Sequence, residues 1–174
     1  MKLVRWKRFT WDLTKLPPLE NPLPDQYVVR TAARDEAKLV SHVVFTALAL
    51  DSAWCDTLEV FRDRLATQID QAFAREPAPA IVIMHGPRII ATSVVSTEPE
   101  ADSHLISGPC VLVEYGNRGL GTALLHHTLA LLQSCGLGRA TAVTKENVPA
   151  CKFVYTKFGS TSTACDFALA MAAT

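Results

Sequence analysis

In the stretch from Glu114 to His127, EYGNRGLGTALLHH, the glycines Gly116, Gly119 and Gly121 stand directly before a leucine-rich run. Glycine is a poor residue with which to begin a helix, so its repetition here needs a reason. The first turn of a helix presents N–H groups that have no intrahelical acceptor, with the positive end of the helix dipole behind them. At 119 and 121 no Cβ keeps an anion away from that backbone, while Arg118 adds charge and Thr122 a hydroxyl. The spacing therefore suits the binding of a phosphate group. A simple tight turn before a helix would use the same residues, so the surroundings have to decide between the two. Two other phosphate motifs are set aside. The chain contains no Gly-Lys-Ser/Thr, and its G-x-x-G-x-G spacing, with neutral or basic residues around Arg139 to Ala142, is not a dinucleotide fingerprint.

The remaining reactive side chains carry less. The five cysteines, Cys55, Cys110, Cys135, Cys151 and Cys165, form no C-x-x-C pair and sit in apolar segments, which suits reduced thiols in a cytoplasm and no zinc site. Cys110 and Cys151 lack the neighbouring base that a thiol nucleophile requires. His126 and His127 are adjacent on a helix and diverge by about 100 degrees, so they do not converge on one metal ion. Glu98, Glu100 and Asp102 make an acidic turn, either simply solvated or able to attract a cationic substrate.

The elements that position these residues can be read from pattern. Residues 1–25 form an N-terminal arm, basic and aromatic at first and then proline-rich (KLPPLENPLPD), packed over its own domain, laid over a ligand or exchanged with a second subunit in a homodimer. Residues 26–174 then form one domain. QYVVRTA reads as a strand. Two amphipathic helices follow, the first carrying Val40, Val43, Val44 and Leu48, the second capped near Asp56 or Thr57 and ended by EPAP. AIVIM and RIIATSVVST flank a turn at His85 to Pro87 and predict a hairpin. HLISGPCVLVEY is strand-like but interrupted by Gly108 and Pro109, where it should bulge. A helix from Gly119 to about Cys135, a strand in GRATAVTKEN, a helix in VPACKFVYTKFG and a last strand in TACDFALAM complete the order β-α-α-β-β-β-α-β-α-β. With 174 residues, seventeen basic and seventeen acidic side chains, and no long apolar run, the chain has no field for nucleic acid or an anionic membrane.

From Val111 to Gly159 the sequence VLVEYGNRGLGTALLHHTLALLQSCGLGRATAVTKENVPACKFVYTKFG resembles the acyl-CoA-binding half of the GNAT superfamily of N-acetyltransferases. The resemblance implies a single α/β (α+β) domain, a mixed twisted β-sheet with helices on both faces, splayed between the strand ending at Tyr115 and the one starting near Gly138. It implies that backbone amides of Asn117, Arg118, Gly119, Leu120, Gly121 and Thr122 hold the diphosphate of acetyl-CoA. It further implies that the strand end Val111, Leu112, Val113 meets the pantetheine arm, and that Asn147 and Tyr155 flank the thioester. Transfer of an acetyl group to a primary amine of a small molecule or peptide, within a ternary complex and without a metal, is the function implied. If the strand bulges at Gly108, a backbone N–H near Leu112 or Val113 is released to face the thioester carbonyl. Tyr155 is then the general acid for the leaving sulfur, and His104, early in the interrupted strand, is the first choice of general base.

Gly116 stands where the family usually has Gln or Arg, and one extra residue separates Asn147 from Tyr155. Counted from Gly159, Tyr155 takes the family's tyrosine position, whereas counted from Asn147 that position falls on Val154. A widened helical turn would reconcile the two. An acyl-CoA-binding module without catalysis, and a phosphate-ligand enzyme of another type, remain as alternatives.

Overall fold

The computed structural model describes residues 4–165. Its first element was not anticipated from the sequence: within the arm, Trp6–Asp12 form strand β1, which lies at the centre of a three-stranded sheet. β1 pairs antiparallel with β6 (Arg139–Lys145) on one side and with β7 (Thr161–Cys165) on the other. The remainder of the expected last strand, from residue 166, lies outside the described residues. Trp11 is wholly buried and Phe9 nearly so, which shows what the aromatic opening of the chain is for. Their burial stabilises the sheet by a few kcal/mol per side chain.

The second sheet has the order β2-β3-β4-β5, all antiparallel: β2 Tyr27–Thr31, β3 Ala80–His85, β4 Arg88–Val94 and β5 Cys110–Val111. The expected hairpin is β3–β4, turning at Gly86 with a φ of 58°. Side chains on β3 alternate between two faces, as a pleated strand requires. Ala80 and Val82 meet α1 (Ala37–Leu50) and α2 (Leu58–Phe73), whereas Ile81 and Ile83 meet Leu120 and Leu124 of α3 (Leu120–Ser134). Helices therefore cover both faces, as the resemblance implied. α3 ends where expected, with Gly136 at a φ of 89° beyond it.

The two sheets touch at one place. The N–H groups of His104 and Leu105 both donate to the Thr141 carbonyl of β6, at 2.8 and 3.3 Å, and Leu105 bridges back to Val95 beside β4. Beyond that point the two sheets diverge, because Gly108 (φ 64°) and Pro109 break the strand and only Cys110 and Val111 remain paired with β4. Proline has no N–H to give to a ladder, so the break falls where the sequence placed it. The splay is the feature that positions the site.

Candidate active site at the splay between the two sheets

The glycine loop sits at one end of the gap. A single 3-10 turn, Val113–Tyr115, leads out of β5. Asn117 then adopts a φ of 59° and Gly119 a φ of 76°, the latter as N-cap of α3. A Cβ at Gly119 would meet no atom within 4 Å, and one at Gly121 only a methyl of Val154 at 3.7 Å. Packing thus does not demand glycine at these positions: backbone conformation requires it at 119, and at both the space is left open above the helix end. Among the described residues, the N–H groups from Asn117 to Thr122 have no intramolecular acceptor, as the first turn of a helix dictates.

Arg118 lines that space with its guanidinium tied to neighbouring groups. Its guanidinium donates to the Tyr27 hydroxyl at 3.4 Å and to the Glu114 carbonyl at 3.2 Å, and lies 5.3 Å from the Tyr115 ring centre. A second cation at the helix start is Lys157, whose Nζ donates to Thr122 Oγ1 at 3.3 Å. Sequence reasoning missed it, although it lies only two residues beyond Tyr155. A cavity of about 480 Å³ opens in front of the loop, walled on one side by Gly119, Thr122 and Lys157 and on the other by the Pro17–Pro24 segment of the arm. His126 fixes that segment by donating Nε2–H to the Pro17 carbonyl at 2.8 Å.

Tyr155 stands at the other end of the gap. It follows the short helix α4 (Pro149–Phe153), and its N–H donates to Ala150 O, five residues back, at 2.8 Å, while Val154 N–H donates to the same carbonyl at 3.0 Å. This widened turn absorbs the extra residue between Asn147 and Tyr155 and rotates Tyr155, rather than Val154, into the core. Phe9 and Trp11 of β1 pack edge-on against its ring at 5.5 and 5.7 Å. Its hydroxyl lies against Gly108, where a Cβ would overlap it. Burial, with smaller contributions from Cys110 and Cys151, pushes the phenol's pKa well up, so it stays protonated at neutral pH.

The pantetheine strand differs in detail from expectation. Leu112 donates its N–H to Ile90 O of β4 at 3.0 Å, so it is not the released donor. Hydrogen bonds alternate along an antiparallel ladder, and Val111, opposite Ala91, therefore turns its N–H away from β4 and toward the gap. Val113 opens the 3-10 turn with its side chain exposed. Asn147 is exposed in the turn before α4 and does not line the cavity beside Tyr155.

His104 is corrected outright as a base. It is fully buried, Nδ1 accepts from Thr141 N–H at 3.0 Å, and Nε2 donates to Glu98 O at 3.0 Å. Both nitrogens are committed, which fixes the neutral Nε2–H tautomer, and burial lowers its pKa further. The side chain pins the acidic turn to β6 and does not reach the gap. Cys110 is buried with its thiol pushed up to about 12, an inert sulfur rather than a nucleophile.

A model of the acetyltransferase (GNAT) family matches residues 46–159, about two thirds of the chain. The chain belongs to the GNAT family. Solved structures with the same fold include a GCN5-related N-acetyltransferase from Sphaerobacter thermophilus (15% identity, TM-score 0.66, covering 94% of this chain and 50% of that one). A GNAT-family acetyltransferase from Colwellia psychrerythraea is similar (16%, 0.61, 93% and 54%), as is a GCN5-related N-acetyltransferase from Kribbella flavida (16%, 0.57, 93% and 56%). This chain spans about half the length of those structures. No curated protein matches it by sequence.

GNAT proteins use acetyl-CoA, and the residues of this chain fit it. The Gly119 loop offers unpaired amides, open space and the Lys157 cation to a diphosphate. Val111 offers a free backbone edge in the gap between the sheets. Among the described residues, no cluster of His, Cys, Asp or Glu could hold a metal ion, and no helix is long and apolar enough to cross a membrane.

Proposed function

We propose that this GNAT protein transfers an acetyl group from acetyl-CoA directly to the primary amine of a small molecule or peptide, with both bound together in the gap. The observation that carries this reading is the Tyr155 hydroxyl: it is buried, held protonated, engaged in no hydrogen bond among the described residues, and set against the strand break at Gly108. A group so placed is ready to give its proton to a departing thiolate. Bound acetyl-CoA would supply the thioester carbon that the amine attacks. The Asn117–Thr122 amides and Lys157 would hold the diphosphate, and the proline segment would cover the nucleotide end. The Val111 N–H would stabilise negative charge developing on the carbonyl oxygen, a contribution of about 3 kcal/mol for one well-aimed donor.

Proton removal from the amine falls to solvent. A cavity of about 140 Å³ adjoins Tyr155, and among the described residues that line it none is a carboxylate or an imidazole. The acceptor would therefore react from the fraction already deprotonated in water. That same lining favours the second reading, an acyl-CoA-binding module without catalysis. Calorimetry with acetyl-CoA, followed by thiol release with an amine panel, separates the two. Binding without release for every amine, with the Tyr155→Phe variant indistinguishable, would favour the module.

A further inference from the structure

The cavity in front of the glycine loop is larger than a diphosphate needs. Its volume of about 480 Å³ is that of a site able to enclose a small ligand. Neither Val111 nor Tyr155 lines it, so it extends the site away from the thioester end. Its far wall is the Pro17–Pro24 segment, a strap held at both ends: His126 donates to the Pro17 carbonyl at 2.8 Å, and the Tyr27 N–H donates to the Pro24 carbonyl at 3.0 Å. Between these ties, the main-chain groups of residues 18–23 make no hydrogen bond among the described residues. Their prolines keep them extended, so a ligand laid against them orders little new backbone.

Phe158 lines the same cavity beside Lys157 and holds a φ of 61°, an outlier for a bulky side chain that persists where the surroundings impose it. Its ring is half-buried and lies 5.1 Å from the ring of His126, the side chain that ties down Pro17. One histidine therefore touches both walls. Among the described residues that line the cavity the cations are Arg118 and Lys157, both next to the glycine loop. The strap brings prolines, Leu19, Leu23 and the Glu20 carboxylate, and no cation. That wall suits a flat, uncharged ring and not a further phosphate.

We propose that Phe158 and the Pro17–Pro24 strap clamp the adenine of acetyl-CoA, which makes the nucleotide end a source of donor affinity and not a tail left in solvent. The inference rests on the coenzyme reading of the glycine loop. A purine face stacks on an aromatic side chain whatever its hydrogen-bonding pattern, and proline and leucine side chains add apolar contact on the strap side.

The test uses the full chain and two donors that differ only in adenosine: 3′-dephospho-acetyl-CoA and S-acetylpantetheine 4′-diphosphate. Calorimetry should give an affinity about 20-fold higher for the first, the scale of stacking one base on a side-chain ring. Phe158→Asn removes the ring but keeps a residue that tolerates a positive φ, and should bring the two donors within about threefold. Phe158→Tyr keeps the ring and should keep the gap. Replacing residues 18–23 by glycine and serine should also narrow it. In every variant the affinity for S-acetylpantetheine 4′-diphosphate should stay within about twofold of the wild type, which separates loss of the clamp from loss of the fold. Equal affinities for the two donors in the wild type, or a gap that survives Phe158→Asn or the strap replacement, would overturn the proposal. Failure of the coenzyme reading is distinct: S-acetylpantetheine 4′-diphosphate would then bind no better than S-acetylpantetheine.

Discussion

Gly108 and Tyr155 make a contact that can be tested by a double-mutant cycle. Gly108→Ala has two costs. The φ of 64° puts a non-glycine residue in the left-handed region, at about 1–2 kcal/mol, and the new methyl overlaps the Tyr155 hydroxyl, an overpacking worth about 1–3 kcal/mol. Tyr155→Phe removes only the oxygen, which has no hydrogen-bond partner among the described residues, so alone it should change stability little. In the double variant the overlap is relieved and only the backbone cost remains, leaving a coupling energy of about 1–3 kcal/mol. Urea unfolding of the four proteins measures this directly. Steady-state thiol release should show the same coupling in kcat, since Gly108→Ala moves the hydroxyl that Tyr155→Phe deletes, and the double variant should be no slower than Tyr155→Phe. Additive stability losses, or a Gly108→Ala protein with full kcat, would refute the placement of the hydroxyl.

Other expectations concern single groups. Tyr155→Phe should lower kcat by about 10²–10⁴, and because burial raises this phenol's pKa, the wild-type rate should show no loss from its ionisation up to about pH 10. Lys157→Ala should weaken acetyl-CoA binding about 5- to 30-fold and flatten its salt dependence, read by calorimetry at two ionic strengths. If solvent removes the amine proton, kcat/KM should climb about tenfold per pH unit up to the acceptor's own pKa, whereas a plateau near pH 6.5 would indicate a histidine base. His104 has a lowered pKa in the fold, so the unfolded chain takes up its proton first as pH falls. Its contribution to stability is complete above about 6.5 and is lost below it, and His104→Gln should reduce the shift in urea midpoint between pH 7.5 and pH 5.

What the sequence disclosed and what it hid divide along physical lines. The glycine loop, the strand break at Gly108 and Pro109, and the helix periods of α1, α2 and α3 are local features, and local pattern sufficed to place them. β1 was hidden because a proline-rich segment follows it and its pairing partners lie more than a hundred residues away. Its consequences were hidden with it. Phe9 and Trp11 buttress Tyr155, and Trp11 Nε1–H donates to the Lys157 carbonyl at 2.9 Å, so the arm's strand fixes both Tyr155 and the backbone at Lys157. His104 misled because an imidazole in a turn near a strand break resembles a base until its two hydrogen bonds are seen. The offset at Asn147 was recognised as a problem of helical phase, and the hydrogen bond from Tyr155 to Ala150 is its solution.

The central claim is that bare amides at the start of α3, with Lys157 beside them, grip the diphosphate of acetyl-CoA. The most direct measurement is calorimetric titration of the protein with acetyl-CoA and with S-acetylpantetheine, which keeps the thioester and pantetheine arm but has no diphosphate. The expected result is an affinity for acetyl-CoA at least about 100-fold higher, the sum of a few charge-assisted hydrogen bonds. Equal affinities for the two would contradict the account.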